Sequence, residues 1–168
     1  LVRENFSSPS VVAAGILTCG SLDEKDHQAG LADLTASALM TGTESRTFNE
    51  IHEELESIGA SMGIGAATHT TSFRGKSLAD DLPVLLDVLS DVLIHPVFQD
   101  DEFNRLKSEK LTGLAIQEQD TGSRAALAFD ELAYPDHPYS IPGSGFVETV
   151  QGLQRADSEA FHAGCFGP

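Results

Sequence analysis

The heaviest constraint on this chain is a leucine-rich stripe, Leu78, Leu82, Leu85, Leu86, Leu89, Val92 and Leu93, stopped by His95-Pro96. Apolar residues at steps of three and four share one helix face, and so wide a face must be buried against another layer. Pro83 falls in the first turn, where its missing N–H is no loss. Just upstream the period changes. Residues 61–73 alternate, with Met62, Ile64, Ala66, Thr68 and Thr70 on one side, which is strand patterning. Gly63 and Gly65 weaken that strand and point to close backbone approach.

The rest of the chain follows the same grammar. Residues 10–20 form a small and apolar run with Val11, Val12, Ile16 and Leu17, which suits a strand covered on both faces. A helix follows with Leu31, Leu34, Ala38 and Leu39 on one face, ending near Gly42. Thr47-Phe48-Asn49-Glu50 is a capping box, and Ile51, Leu55 and Ile58 continue it at helical spacing to a left-handed stop at Gly59. Asp100 or Asp101 caps a helix with core positions Phe103, Leu106, Leu111 and Leu114. Gly122-Ser123 breaks it from a further run over 125–132. Residues 134–145 form a Pro- and Gly-rich loop, and short helices over 147–153 and 157–165 close the chain. The order predicts an α+β fold: an antiparallel sheet with helices packed on one face.

The 168 residues amount to one domain, 1–168. The start at Leu1 and the end at Gly167-Pro168 suggest an excerpt of a longer polypeptide. Lys plus Arg number 10 against 26 for Asp plus Glu, a net charge of -16. That field repels phosphate backbones and anionic lipid, which argues against nucleic-acid and membrane-surface partners and leaves a solvated surface or attraction of basic peptides. No apolar run approaches the ~20 residues that span a bilayer, and no charged-then-apolar leader opens the chain, so the expectation is a soluble domain of open compartment. Cys19 and Cys165 fit no disulfide framework or metal spacing and are expected as buried free thiols.

Several ordered pieces carry a resemblance. They are Gly30-Leu31-Ala32-Asp33, Gly42-Thr43, Leu55-Glu56-Ser57-Ile58-Gly59-Ala60, His95-Pro96-Val97-Phe98, His137-Pro138-Tyr139, Pro142-Gly143-Ser144-Gly145, and a tail of Phe161-His162 and Phe166-Gly167-Pro168. Together they resemble the M16 zinc peptidases, the family of pitrilysin, insulinase and the mitochondrial processing peptidase. The resemblance implies the metallohydrolase fold shared by LuxS and the processing peptidase. Catalytic members carry His-x-x-Glu-His on the helix after Gly-Leu, two histidines holding zinc and the glutamate acting as base, with a later glutamate as third ligand. Here the histidine positions fall on Asp33 and Ser37, the base on Ala36, and the distant glutamate near Gly113. Zinc needs three protein ligands beside its water, and these four residues do not supply them.

Other constellations are weaker. A displaced site from Asp33, His52 and His69 would need two helices and a mid-strand residue to converge, and solvated or hydrogen-bonded histidines are the simpler reading. His95 and His137 each precede a proline and read as turn residues. Ser37 has no base suggested by spacing. Gly143-Ser144-Gly145 lacks the lysine of a phosphate loop and reads as a flexible loop.

The resemblance implies the non-catalytic half of a zinc metallopeptidase, with no metal or cofactor of its own and zinc in a catalytic partner domain. Partner and chain would close a chamber around a peptide, with a homodimer possible for the isolated chain. A structural core subunit and a metallohydrolase with a displaced site are the alternatives. In catalytic halves the strand after the capping-box helix can accept a peptide as an added strand. Gly63 and Ile64 replace the Asn-Ala common there, and Arg74, with Lys76, stands at the strand's end. These are the candidate peptide contacts, against glycines that merely permit close packing and a solvated hairpin end.

Overall fold

The alternation over 61–73 is divided by a turn. In the computed structural model, which describes residues 8–25 and 27–166, β2 (Ser61–Ala66) and β3 (Thr71–Leu78) form an antiparallel hairpin. The Ala67 N–H donates to the Thr70 carbonyl at 2.7 Å across the turn. One expected strand is therefore two, because Ala67-Thr68-His69-Thr70 holds none of the Gly, Pro, Asn or Asp that usually mark such a turn. Arg74 and Lys76 consequently stand mid-strand in β3. Leu78, assigned to the helical stripe, ends that strand with its side chain half-exposed.

β1 (Ser10–Leu17) pairs antiparallel along the other side of β3, giving the order β1-β3-β2. It was expected to be covered on both faces. Instead its residues alternate, with Val12 and Ile16 outward and Ile16 67% exposed. Helices cover only the other face, as the α+β expectation requires. The small side chains of Ala13 and Ala14 had hidden the period.

α1 (Leu31–Ala38) is buried nearly all round, with Leu31, Ala32, Leu34, Thr35, Ala36 and Ala38 all inside. A helix apolar on most sides belongs in the middle of a fold. Its alanines let α4 (Asp100–Gln117), α7 (Arg155–Cys165) and β2 approach closely. Leu31 and Leu34 meet Phe103, Leu114, Val150, Leu153 and Phe161 in one core cluster. α2 (Phe48–Ser57) and α3 (Leu82–Ile94) form a second cluster with Ile51, Leu55, Leu85, Val88 and Val92, against Met62 and Ile64 of β2.

The helix ends are mostly where the chemistry puts them. Thr47 and Glu50 exchange the two capping-box bonds, and Gly59 takes a left-handed φ of 60°. α4 differs: Gln99 is its cap residue, and Asp100, Asp101 and Glu102 sit in the first turn, where carboxylates favour the positive end of the helix. α5 (Thr121–Ala133) also starts earlier than expected. The Asp120 carboxylate caps it through the Ser123 N–H at 2.7 Å, so Gly122-Ser123 lies inside its first turn. α6 (Val147–Gly152) precedes α7.

Two long-range links fasten this frame. Arg46, before α2, bonds Glu54 of α2 at 2.8 Å and Asp91 of α3 at 2.7 Å. Burial, which raises the Asp91 carboxyl, is outweighed by hydrogen bonds from Ser45, Thr43 and Arg46 that hold it below the ordinary carboxylate range. The second link corrects the expectation of free thiols: Cys19, just after β1, is disulfide-bonded to Cys165 at the end of α7. Their 146-residue separation hides the pairing from any local spacing rule, yet the fold brings the Cα atoms to 5.7 Å. A native bridge of this kind typically contributes about 2–4 kcal/mol by restricting the unfolded chain. Thiol alkylation of the unfolded, unreduced chain is expected to label neither cysteine. Calorimetry is expected to show a lower Tm for Cys19→Ser/Cys165→Ser; full labelling or an unchanged Tm contradicts the link.

Candidate functional site

Gly30 sets the entry to α1. Its φ of 96° is a left-handed conformation, and a Cβ there would press on the Ser144 carbonyl, while one on Gly145 would strike the Ala29 carbonyl. The 142–145 loop, read as flexible, is packed against the start of α1 through buried Gly145. The Thr149 hydroxyl donates to the Ala29 carbonyl at 2.8 Å and secures the same junction. Both glycines therefore serve close approach, and together they fix the start of α1, just ahead of Asp33.

The free amides at the start of α1 are taken by Glu24. Its carboxylate accepts the Gly30 N–H at 3.1 Å and the Ala32 N–H at 2.7 Å. Orphan amides and the positive helix end both favour an anion there. Burial nevertheless dominates. It pushes the Glu24 carboxyl up to about 7, against the Ala32 and Gly30 amides and the Lys110 ammonium, which pull it down, with Asp33 adding to the rise.

Asp33, the first of the resemblance-derived ligand positions, is ion-paired to Lys110 of α4. The Lys110 side chain is only 11% exposed and that of Asp33 45%. Ser37 follows one turn later on the same helix and is exposed; Ala36, at the base position, is 1% exposed. Gly113 is exposed on α4, and a Cβ there would meet nothing within 4 Å. A cleft of about 270 Å³ opens beside Asp33, with Ser21, Ala66, Ala67, Thr68 and Ser144 among its walls.

These residues do not fit a zinc ion. Asp33 offers one carboxylate already paired with an ammonium, Ser37 an alcohol, and Gly113 no donor. Among the described residues no group of three or more His, Cys, Asp and Glu is placed to hold a metal. The displaced constellation of Asp33, His52 and His69 is not assembled. His52 packs on Phe48 with ring centroids 4.3 Å apart, and the His69 Nε2 lies 2.7 Å from the Tyr139 hydroxyl. His95 sits at the end of α3 with its Nδ1 3.6 Å from Asp91, and the His137 Nδ1 accepts the Tyr139 N–H at 3.2 Å. Both are turn residues, as expected.

The candidate peptide contacts separate by face. Ile64 points inward and packs with Leu93 and the α2–α3 cluster. Gly63 faces outward beside Arg74 of β3, whose other neighbour is Ala14 of β1. At Gly63 and Gly65 a Cβ would meet nothing within 4 Å, so these glycines do not serve close packing, which corrects that expectation. They leave the outer face of β2 bare. Sequence reasoning missed Glu24 and Lys110 altogether; a capping carboxylate within the polar run 23–28 leaves no spacing signal, and neither does a lysine amid a charged helix.

A central helix carried between a small antiparallel sheet and outer helices defines a domain of metallohydrolase type, with no cluster of metal-ligating side chains among the described residues. The chain belongs to the Insulinase (Peptidase family M16) family, whose profile matches residues 2–135. A peptidase M16 inactive domain from Pseudomonas fluorescens is 28% identical, with a TM-score of 0.88 over 94% of this chain and 38% of that one. An uncharacterized zinc protease of Mycobacterium bovis is 25% identical over 95% of this chain and 37% of its own length. Cytochrome b-c1 complex subunit 1 of Bos taurus is 27% identical over 94% and 33%. The chain thus spans about a third of the length of the curated relatives it matches. No described helix is long and apolar enough to cross a membrane.

The raised Glu24 carboxyl has a defined sign. Its proton is held more tightly in the folded chain, so its stabilising contribution is complete below pH 4.5 and lost as pH rises through about 7. Asp91, held below its ordinary value, acts with the opposite sign at lower pH. A Tm series across pH 4.5–7 is expected to fall for the native chain and to flatten for Glu24→Gln; identical slopes would show that Glu24 does not titrate there.

Proposed function

We propose that this chain is the non-catalytic half of an M16-type zinc metallopeptidase, closing a peptide-binding chamber with a catalytic partner domain that holds the zinc. The observation that carries this reading is Ala36, a buried methyl group where the base would stand, beside an Asp33 committed to Lys110. Loss of a general base alone costs about 10²–10⁴-fold in rate. The likeness to an inactive M16 domain supports the same conclusion.

The peptide would run along β2. Among the described residues that strand pairs only with β3, so its outer edge offers free N–H and C=O groups for an added strand. Gly63 and Gly65 leave the outer face beside that edge bare, and Arg74, one strand in on the same face, supplies a cation for a peptide carboxylate. Ile64 supports the strand from beneath. A structural subunit without peptidase partners is the second reading, favoured by the likeness to the bovine complex subunit. The Cys19–Cys165 bridge further supports maturation in an oxidising compartment, where such bonds persist.

Mixing this chain with a zinc-bearing M16 domain from the same source tests the reading. The expected result is chelator-sensitive cleavage of a basic peptide by the pair and none by this chain alone with added zinc. Chelator-sensitive cleavage by the isolated chain would overturn it; co-assembly without cleavage would favour the structural subunit. Within an active pair, Gly63→Val is expected to raise KM more than it lowers kcat, because it crowds the strand edge and touches no reacting group.

A further inference from the structure

The disagreement between the residues of this site and a metal extends beyond missing donors. Lys110 lies on α4 three residues before Gly113, so both stand on neighbouring turns of one face. From there its ammonium reaches Asp33, the position aligned with the first ligand, and adds to the charge balance of Glu24 at the α1 N-terminus. One carboxylate, Asp33, is thus ion-paired to a nearly buried cation from another segment, and a second carboxyl, Glu24, lies near enough to feel its charge. A divalent ion placed among α1 and α4 would meet that ammonium at close range, and like charges a few ångströms apart in a partly desolvated site repel strongly.

We propose that Lys110 is a built-in cation that occupies the α1–α4 junction in place of a metal and excludes divalent ions from it. The ammonium compensates Asp33 and Glu24 without adding Lewis acidity or a bound water. The site is closed as well as depleted. Restoring the ligands alone then does not restore metal binding. This inference rests on the non-catalytic reading, but its readout is zinc affinity and not cleavage, so the two fail separately.

The test compares two graft variants of this chain. One carries Asp33→His, Ser37→His and Gly113→Glu with Lys110 kept; the other adds Lys110→Met. Zinc affinity is measured by calorimetry, with folding checked by circular dichroism. The expected result is zinc binding at least about 100-fold tighter when Lys110 is replaced. Equal affinities overturn the proposal, and so does absence of zinc from both folded variants. Should the grafts not fold, a double-mutant cycle on the native background reads the charge compensation directly. Asp33→Asn and Lys110→Met are each expected to lower Tm, and the double variant to recover most of the loss. Additive losses overturn the proposal.

Discussion

Everything in this domain is arranged around the burial of α1. Its alanines and threonine let the sheet, α4 and α7 close on it from different sides, and its leucines supply the common core. The buried Thr35 hydroxyl donates to Ser158 of α7 at 3.0 Å, so the helix carries no unsatisfied polar group into that contact. Filling the Ala36 position with a carboxylate would put a charge where apolar groups now pack. The packing that stabilises the domain is therefore incompatible with an ionised group at Ala36.

Charge follows from that geometry. A helix buried at its N-terminus needs partners for its first amides, and Glu24 provides them at the cost of its own desolvation. Asp33 then stands close enough to raise the Glu24 carboxyl further, which leaves room for one compensating cation. Lys110 is that cation. In a chain with a net charge of -16, a lysine held almost wholly out of solvent is a committed charge and not part of a solvated face.

Much of this was legible in the residues. The leucine stripe gave α3, Thr47 and Glu50 gave the start of α2, and Phe103 and Leu114 were assigned correctly to the core. Features set by tertiary contact were not legible. The β2–β3 turn lacks the usual turn residues and keeps the alternation running, so a hairpin reads as one strand. Val12 and Ile16 are apolar yet outward, because exposure on β1 depends on which face the helices cover. Cys19 and Cys165, like Asp33 and Lys110, meet only through the fold. The resemblance pointed to Asp33, Ala36, Ser37 and Gly113, but no pattern in the residues pointed to the Lys110 ammonium that meets Asp33.

The most direct measurement is a crystal structure of the chain grown in excess zinc, with anomalous diffraction recorded at the zinc absorption edge. The expected result is the Lys110 Nζ on the Asp33 carboxylate and no anomalous peak between α1 and α4. A peak there, with Asp33 turned from Lys110 to the ion, would contradict it.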